Sequence, residues 1–109
     1  MIKVVLIGSG NLAHHLIEAF AKSKKVDVIQ VFARQKESVT PLFDSNKITS
    51  NYNELTEADL YIIAVSDDAI AAVSSQLPFD NRLVVHTSGT VAMDSLDSNN
   101  RKGIFYPLQ

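Results

Sequence analysis

Apolar positions along this chain follow two rhythms. Ile2, Val4, Val5, Leu6 and Ile7 form a run broken only by Lys3, which predicts a buried strand over Ile2 to Ile7. The spacing then turns helical. Leu12, Leu16, Ile17 and Phe20 make one stripe, with Glu18 and Lys22 on the opposite side, so a helix is expected from about Asn11 to Lys24. Val28 to Ala33 reads as a second strand, rich in β-branched and aromatic bulk. Ser38 to Phe43 suggests a short helix limited by Pro41, and Asn46 to Tyr52 a weak strand around Ile48 and Thr49. Asn53 to Ala58 reads as a short helical connection. Leu60 to Val65 is a continuous apolar run suited to a central parallel strand. Ser66, Asp67 and Asp68 offer polar caps for a helix carrying Ile70, Val73 and Leu77, which Pro78 stops. Leu83 to Thr87 is a fifth strand, Gly89 opens a loop, Val91 to Leu96 suggests a short helix, and Lys102 to Tyr106 contains a sixth strand closed by Pro107. Strands alternating with helices predict an α/β, doubly wound, mostly parallel sheet of about six strands, with the first three ordered 3-2-1.

The junction between the first strand and helix carries the first chemical signal. Gly8, Ser9, Gly10, Asn11, Leu12 and Ala13 form a glycine turn opening a helix. Gly8 permits a tight turn, Gly10 lets backbone approach a pyrophosphate, and small Ala13 lets the helix lie close to the sheet. Free N–H groups and the macrodipole at that helix end favour phosphate, so the turn predicts a dinucleotide site. A glycine turn without a ligand is the plainer reading.

Composition narrows the partners. The 109 residues suit one domain, and an apolar content of 46% can build a real core. Ten Lys and Arg against twelve Asp and Glu, net charge −2, give no footprint for nucleic acid or an anionic membrane. The absence of Cys removes disulfides and thiolate metal sites and is compatible with a cytoplasmic setting. The first apolar run is too short to span a bilayer and lacks a cleavage-like region after it. His14 and His15 are adjacent on a helix and point apart, so no metal is expected.

In a doubly wound sheet, ligands cross the carboxyl ends of the strands. At the second such end stands Arg34, with Lys36 two residues on and Glu37 later still. NAD sites usually place a carboxylate there for the ribose hydroxyls, whereas a guanidinium favours a 2′-phosphate; NADP is therefore expected over NAD. Val65, Ser66 and Asp68 at the fourth strand end would shape the pocket beneath the nicotinamide ribose, or serve as a helix cap alone. His86 and Ser88, beside Thr87 and Gly89, are the candidate catalytic pair. The imidazole would exchange a proton and the hydroxyl orient a substrate oxygen; alternatively, His86 is a satisfied strand-end histidine and Ser88 a cap. No G-x-S-x-G elbow is present.

Gly8-Ser9-Gly10-Asn11-Leu12-Ala13-His14-His15-Leu16 resembles the opening of a bacterial family of Rossmann-like NADP oxidoreductases. Val65-Ser66-Asp67-Asp68-Ala69-Ile70, His86-Thr87-Ser88-Gly89 and Phe105-Tyr106-Pro107-Leu108-Gln109 resemble it in the same order. The wider kin include pyrroline-5-carboxylate reductase, 6-phosphogluconate and β-hydroxyacid dehydrogenases, and deazaflavin-dependent NADP reductases. The resemblance implies that residues 1–109 form the NAD(P)-binding Rossmann domain of an oxidoreductase that moves a hydride to or from a small metabolite. It also implies a following helical domain for dimerisation and substrate closure, absent here, so the isolated chain is expected to be inactive. A homodimer through that domain, or self-association, would complete the site. The β-hydroxyacid dehydrogenase lysine belongs to that helical part and has no match. Ser66-Asp67-Asp68 also departs from the Lys-Pro that the proline-biosynthesis reductases carry. The alternative is a non-catalytic dinucleotide-sensing or protein-interaction module.

Overall fold

The computed structural model describes residues 2–41, 43–79, 82–86 and 101–104. In chain order these form β1 (Ile2–Ile7), α1 (Asn11–Ala21), β2 (Val26–Phe32), β3 (Ile48–Thr49), β4 (Leu60–Ile63), α2 (Ile70–Ser75), β5 (Leu83–His86) and β6 (Arg101–Ile104). One six-stranded sheet results, ordered β3-β2-β1-β4-β5-β6, with every neighbouring pair parallel. The chain winds outward from β1 in one direction and then, from β4, in the other. This is the doubly wound Rossmann-type arrangement, with the change of direction between β1 and β4.

Both faces of the sheet are covered, which is why its central strands read as unbroken apolar runs. Successive residues of β1 point to opposite faces. Val4 and Leu6 join Ala13, Leu16 and Ile17 of α1 on one side, while Val5 and Ile7 join Phe32, Tyr61, Ile63 and Ile70 on the other. The β1–β2 register slips between Val4 and Val5, so that Val4 faces Val28 but Val5 faces Gln30, leaving Ile29 as an extra residue.

Several boundaries differ from those expected. α1 stops at Ala21, short of Lys24, because Lys22 and Ser23 turn back onto the carbonyls of Ala19 and Phe20. The Lys25 carbonyl, just ahead of the sheet, accepts from the Ile2 N–H at 2.8 Å, and β2 begins at Val26, two residues before the expected start. The expected helix over Ser38 to Phe43 is a single 3₁₀ turn at Lys36–Ser38, with Val39 buried behind it; Pro41 cannot supply the N–H that a longer helix would need. Asn53 to Ala58 likewise shrinks to a 3₁₀ turn at Tyr52–Glu54. β4 ends at Ile63, although the Ala64 N–H still donates to the Ile7 carbonyl at 2.8 Å. α2 begins after a 3₁₀ turn at Asp67–Ala69, and its N-cap position falls to Ala69, whose side chain cannot cap. Ser66 and Asp68 are thus not its caps. β6 starts one residue before its expected position. The loop at Gly89 and the helix expected at Val91 to Leu96 lie outside the described residues. No helix among the described residues is long and apolar enough to cross a membrane.

Candidate functional site

Three strand ends converge on Gly8. It continues β1 with its N–H donating to the Phe32 carbonyl of β2 at 2.9 Å. Its φ of +143° is one that L side chains rarely adopt, and a Cβ there would lie 2.2 Å from the Ala64 carbonyl oxygen beyond β4. Gly10 differs. A Cβ added to it meets nothing within 4 Å, so the chain's own packing does not demand glycine there. The open space belongs to a cleft of about 620 Å³, within the size range of small-ligand sites.

That cleft runs along the carboxyl ends of the central strands. Gly8, Ser9, Gly10, Asn11 and Leu12 form its floor; Phe32, Ala33, Arg34 and Tyr52 form one wall, and Val65, Ser66, Ala69, Ala72, Val73 and Gln76 the other. Gly10 is the N-cap of α1 and supplies no side-chain cap, and no acidic residue occupies the first turn. The first intrahelical bond runs from the His14 N–H to the Gly10 carbonyl at 3.0 Å. The N–H groups ahead of it therefore have no intrahelical acceptor and sit at the positive end of the helix dipole. Nothing negative on this helix end competes with a phosphate.

Arg34 is held on the wall by its neighbour. The Ala33 N–H donates to the Thr49 carbonyl at 2.9 Å, and the Ser50 hydroxyl donates to the Ala33 carbonyl at 2.6 Å. Tyr52 stacks on Phe32, ring centroids 4.1 Å apart and planes 16° from parallel. Burial pushes the Tyr52 phenol above its ordinary pKa, and the Arg34 charge partly opposes that rise. The phenol therefore stays neutral beside the guanidinium through the physiological range.

Of the expected site residues, Gly8, Ser9, Gly10, Asn11, Leu12, Arg34, Val65 and Ser66 come together in this cleft. Ala13 does not line it. It is fully buried under α1 against the sheet, which is the close approach its small size was expected to allow. Lys36 is carried off by the 3₁₀ turn into a separate polar depression with Ser45, Asn46 and Glu54. Asp68 is exposed on the turn before α2 and is not part of the cleft lining. His86 ends β5 fully buried, paired in the ladder with Ile63 and Ile104, and does not reach the cleft wall. Its ring is enclosed in the sheet packing. Ser88 lies outside the described residues. Sequence reasoning missed Tyr52, Phe32, Val73 and Gln76; for Tyr52 the available signal was an aromatic residue just past a strand end on the Arg34 side.

A doubly wound parallel sheet whose glycine turn, uncapped helix end and cationic strand end open on one cleft defines a dinucleotide-binding domain. The model of the family described as NADP oxidoreductase, coenzyme F420-dependent, matches residues 3–89. The chain belongs to this family of Rossmann-type, oxidoreductase-like domains. It is similar to a proposed NADP oxidoreductase from Bacteroides fragilis, with 32% identity and a TM-score of 0.78 over 99% of this chain. A proposed NADPH-dependent oxidoreductase from Desulfitobacterium hafniense shares the fold at 19% identity, with a TM-score of 0.68 over 86% of this chain. Prephenate dehydrogenase from A. aeolicus, solved with hydroxyphenyl propionate and NAD+, shares it at 13% identity, with a TM-score of 0.70 over 92%. The chain spans 44%, 29% and 40% of those three proteins, respectively. No curated protein matches it.

Proposed function

We propose that the cleft binds NADP, and that the chain is the cofactor-binding part of an oxidoreductase moving a hydride to or from a small metabolite. The observation that carries this reading is Arg34 on the cleft wall at the end of β2, where an NAD site would present a carboxylate. Glu37, the nearest acid along the chain, is exposed in the turn that leads away. The fit of the remaining residues supports it: open space at Gly10 for a pyrophosphate, unclaimed N–H groups at the start of α1, and an apolar wall opposite. The bound nicotinamide supplies the hydride chemistry. The chain's own part is to fix the phosphates at Gly8 to Leu12, to pair Arg34 with the 2′-phosphate, and to shelter one side of the cofactor from water.

The described cleft lining contains neither carboxylate nor imidazole. We place the acid–base group for substrate outside this described lining, with a helical domain beyond this sheet, in the same subunit or a second copy, as its source. Partial coverage of the relatives supports it. The same lack of an acid–base group favours the second reading, a dinucleotide sensor without turnover. Following NADPH absorbance with hydroxyacids, imines and a deazaflavin separates the two, for this chain and for its full-length parent. The proposal expects turnover by the parent and none by the chain alone. NADPH binding by the parent with no turnover on the panel supports the sensor, and equal turnover by the isolated chain refutes the need for a second domain.

A further inference from the structure

A buried glutamine in the middle of β2 needs an explanation, because an amide withdrawn from water is costly unless its hydrogen bonds are met. Gln30 is only 8% exposed. The register slip after Val28 sets it opposite Val5, the face on which Phe32 and Tyr52 pack. Both ends of its amide are spent on one segment. Nε2 donates to the Glu54 carbonyl at 3.0 Å, and Oε1 accepts from the Thr56 N–H at 2.9 Å. A second tether reaches the same turn from β3, where the Thr49 hydroxyl donates to Glu54 Oε1 at 2.7 Å and accepts from the Asn51 N–H at 3.1 Å. What these bonds hold is the 3₁₀ turn Tyr52–Glu54, and the residue this turn delivers to the cleft is Tyr52.

We propose that Tyr52 is the aromatic wall on which the adenine ring of the dinucleotide rests, and that Gln30 is a positioning residue that holds this wall in place. The inference rests on the cofactor reading given above and specifies one half of it. Tyr52 stands beside Arg34 on the β2–β3 side of the glycine turn, so it meets the adenosine half if the guanidinium meets the 2′-phosphate. The ring is half-buried, with one face on Phe32, and it lines the cleft together with Val65 and Val73, which add apolar surface to the lining. Stacking on a ring whose other face is already backed by a second ring requires little reordering on binding. Without Gln30, the Glu54 carbonyl and Thr56 N–H lose their shared partner, and Tyr52 loses its fixed height above the cleft floor.

Calorimetric titration with NADPH, 2′,5′-ADP and reduced nicotinamide mononucleotide tests this on the folded chain. Tyr52→Ala is expected to weaken NADPH and 2′,5′-ADP about tenfold, the order found when a base loses its aromatic platform, and to leave the mononucleotide unchanged. Tyr52→Phe keeps the ring and should bind like the wild type. Gln30→Met, similar in volume but without the amide, should weaken the two adenosine ligands about threefold. In the Tyr52→Ala background it should add nothing, a coupling that general destabilisation does not produce. Thr49→Val cuts the other tether and carries the same test should Gln30→Met fail to fold. Unchanged 2′,5′-ADP affinity in Tyr52→Ala, equal losses for the mononucleotide, or additive effects of Gln30→Met and Tyr52→Ala would overturn the proposal while leaving the cofactor reading intact. Failure of the wild type to bind NADPH or 2′,5′-ADP would remove both.

Discussion

A methyl group added at Gly8 would put a carbon 2.2 Å from the Ala64 carbonyl oxygen, in a backbone conformation with φ +143°. Neither problem can be relieved by a side-chain rotation, because the opposing atom is backbone. Gly8→Ala is therefore expected to cost about 2–4 kcal/mol, the sum of a strained dihedral and an overpacked contact, read as a lower urea midpoint. Gly10→Ala makes the opposite case. Its Cβ enters open space, so stability should change by no more than about 1 kcal/mol, the scale of an N-cap substitution, while NADPH affinity falls because the methyl occupies the approach to the phosphates. A Gly10→Ala protein that loses stability but keeps its affinity would show that this glycine serves the fold. The tyrosines make a pH-dependent prediction. Burial raises the phenols of Tyr61 and Tyr52 above 10.0, against the opposing charges of Arg82 and Arg34, respectively. The folded chain then holds protons that the unfolded chain releases, so this contribution to stability is intact below pH 10.0 and declines as pH rises through the folded-state values. Urea midpoints across the alkaline range should fall, and Tyr61→Phe should flatten the decline; a midpoint that rises above pH 10.0 would contradict the assignment.

At the scale of elements, α1 carries the approach of helix to sheet. Ala13 is fully buried among Val4, Leu6, Leu16 and Val31. Ala13→Leu is expected to destabilise by about 1–3 kcal/mol and, by lifting the start of the helix, to weaken phosphate binding as well. Loss of stability with unchanged NADPH affinity would separate the helix position from the site. His14 adds a tie, its Nε2 donating to the Ser38 carbonyl at 3.0 Å and linking α1 to the turn after Arg34. The elements legible in the sequence were those with a strong period. β1 matched its apolar run, α1 its stripe to within its last turn, and β3 formed at Ile48 and Thr49 as expected. The departures have local causes that periodicity does not carry. An extra residue at Ile29 leaves the apolar run of β2 looking continuous, yet it sets where Gln30 points. Lys36 follows Arg34 closely, but the 3₁₀ turn between them and Val39 sends the two cations to different places. The turn that carries Tyr52 is tied through Glu54 and Thr56 to Gln30, a contact across about two dozen residues that no sequence spacing marks, and through Glu54 to the nearby Thr49. His86 stands at a strand end where catalysis and core packing are both open readings, and its full burial becomes visible only once β4 and β6 flank β5.

For the whole molecule, strand order explains where function sits. The winding reverses between β1 and β4, so the loops after these strands part and leave a crevice between them. Gly8 to Leu12 lies at its centre, Arg34 and Tyr52 to one side, and Val65, Ser66 and the Ala69–Gln76 stretch to the other. The cleft is open, and Leu12, a large apolar residue of its lining, is 36% exposed. The second domain or second copy proposed above would close over the cleft and cover Leu12. As proposed, this crevice holds a dinucleotide and Arg34 reads its 2′-phosphate. The most direct measurement is a calorimetric titration of NADPH and of NADH into the chain and into Arg34→Ala. The expected result is one site per chain, tighter for NADPH, with a loss of about 1.5–3 kcal/mol for NADPH in the variant and little change for NADH. No binding of either nucleotide, or equal affinities untouched by Arg34→Ala, would contradict it.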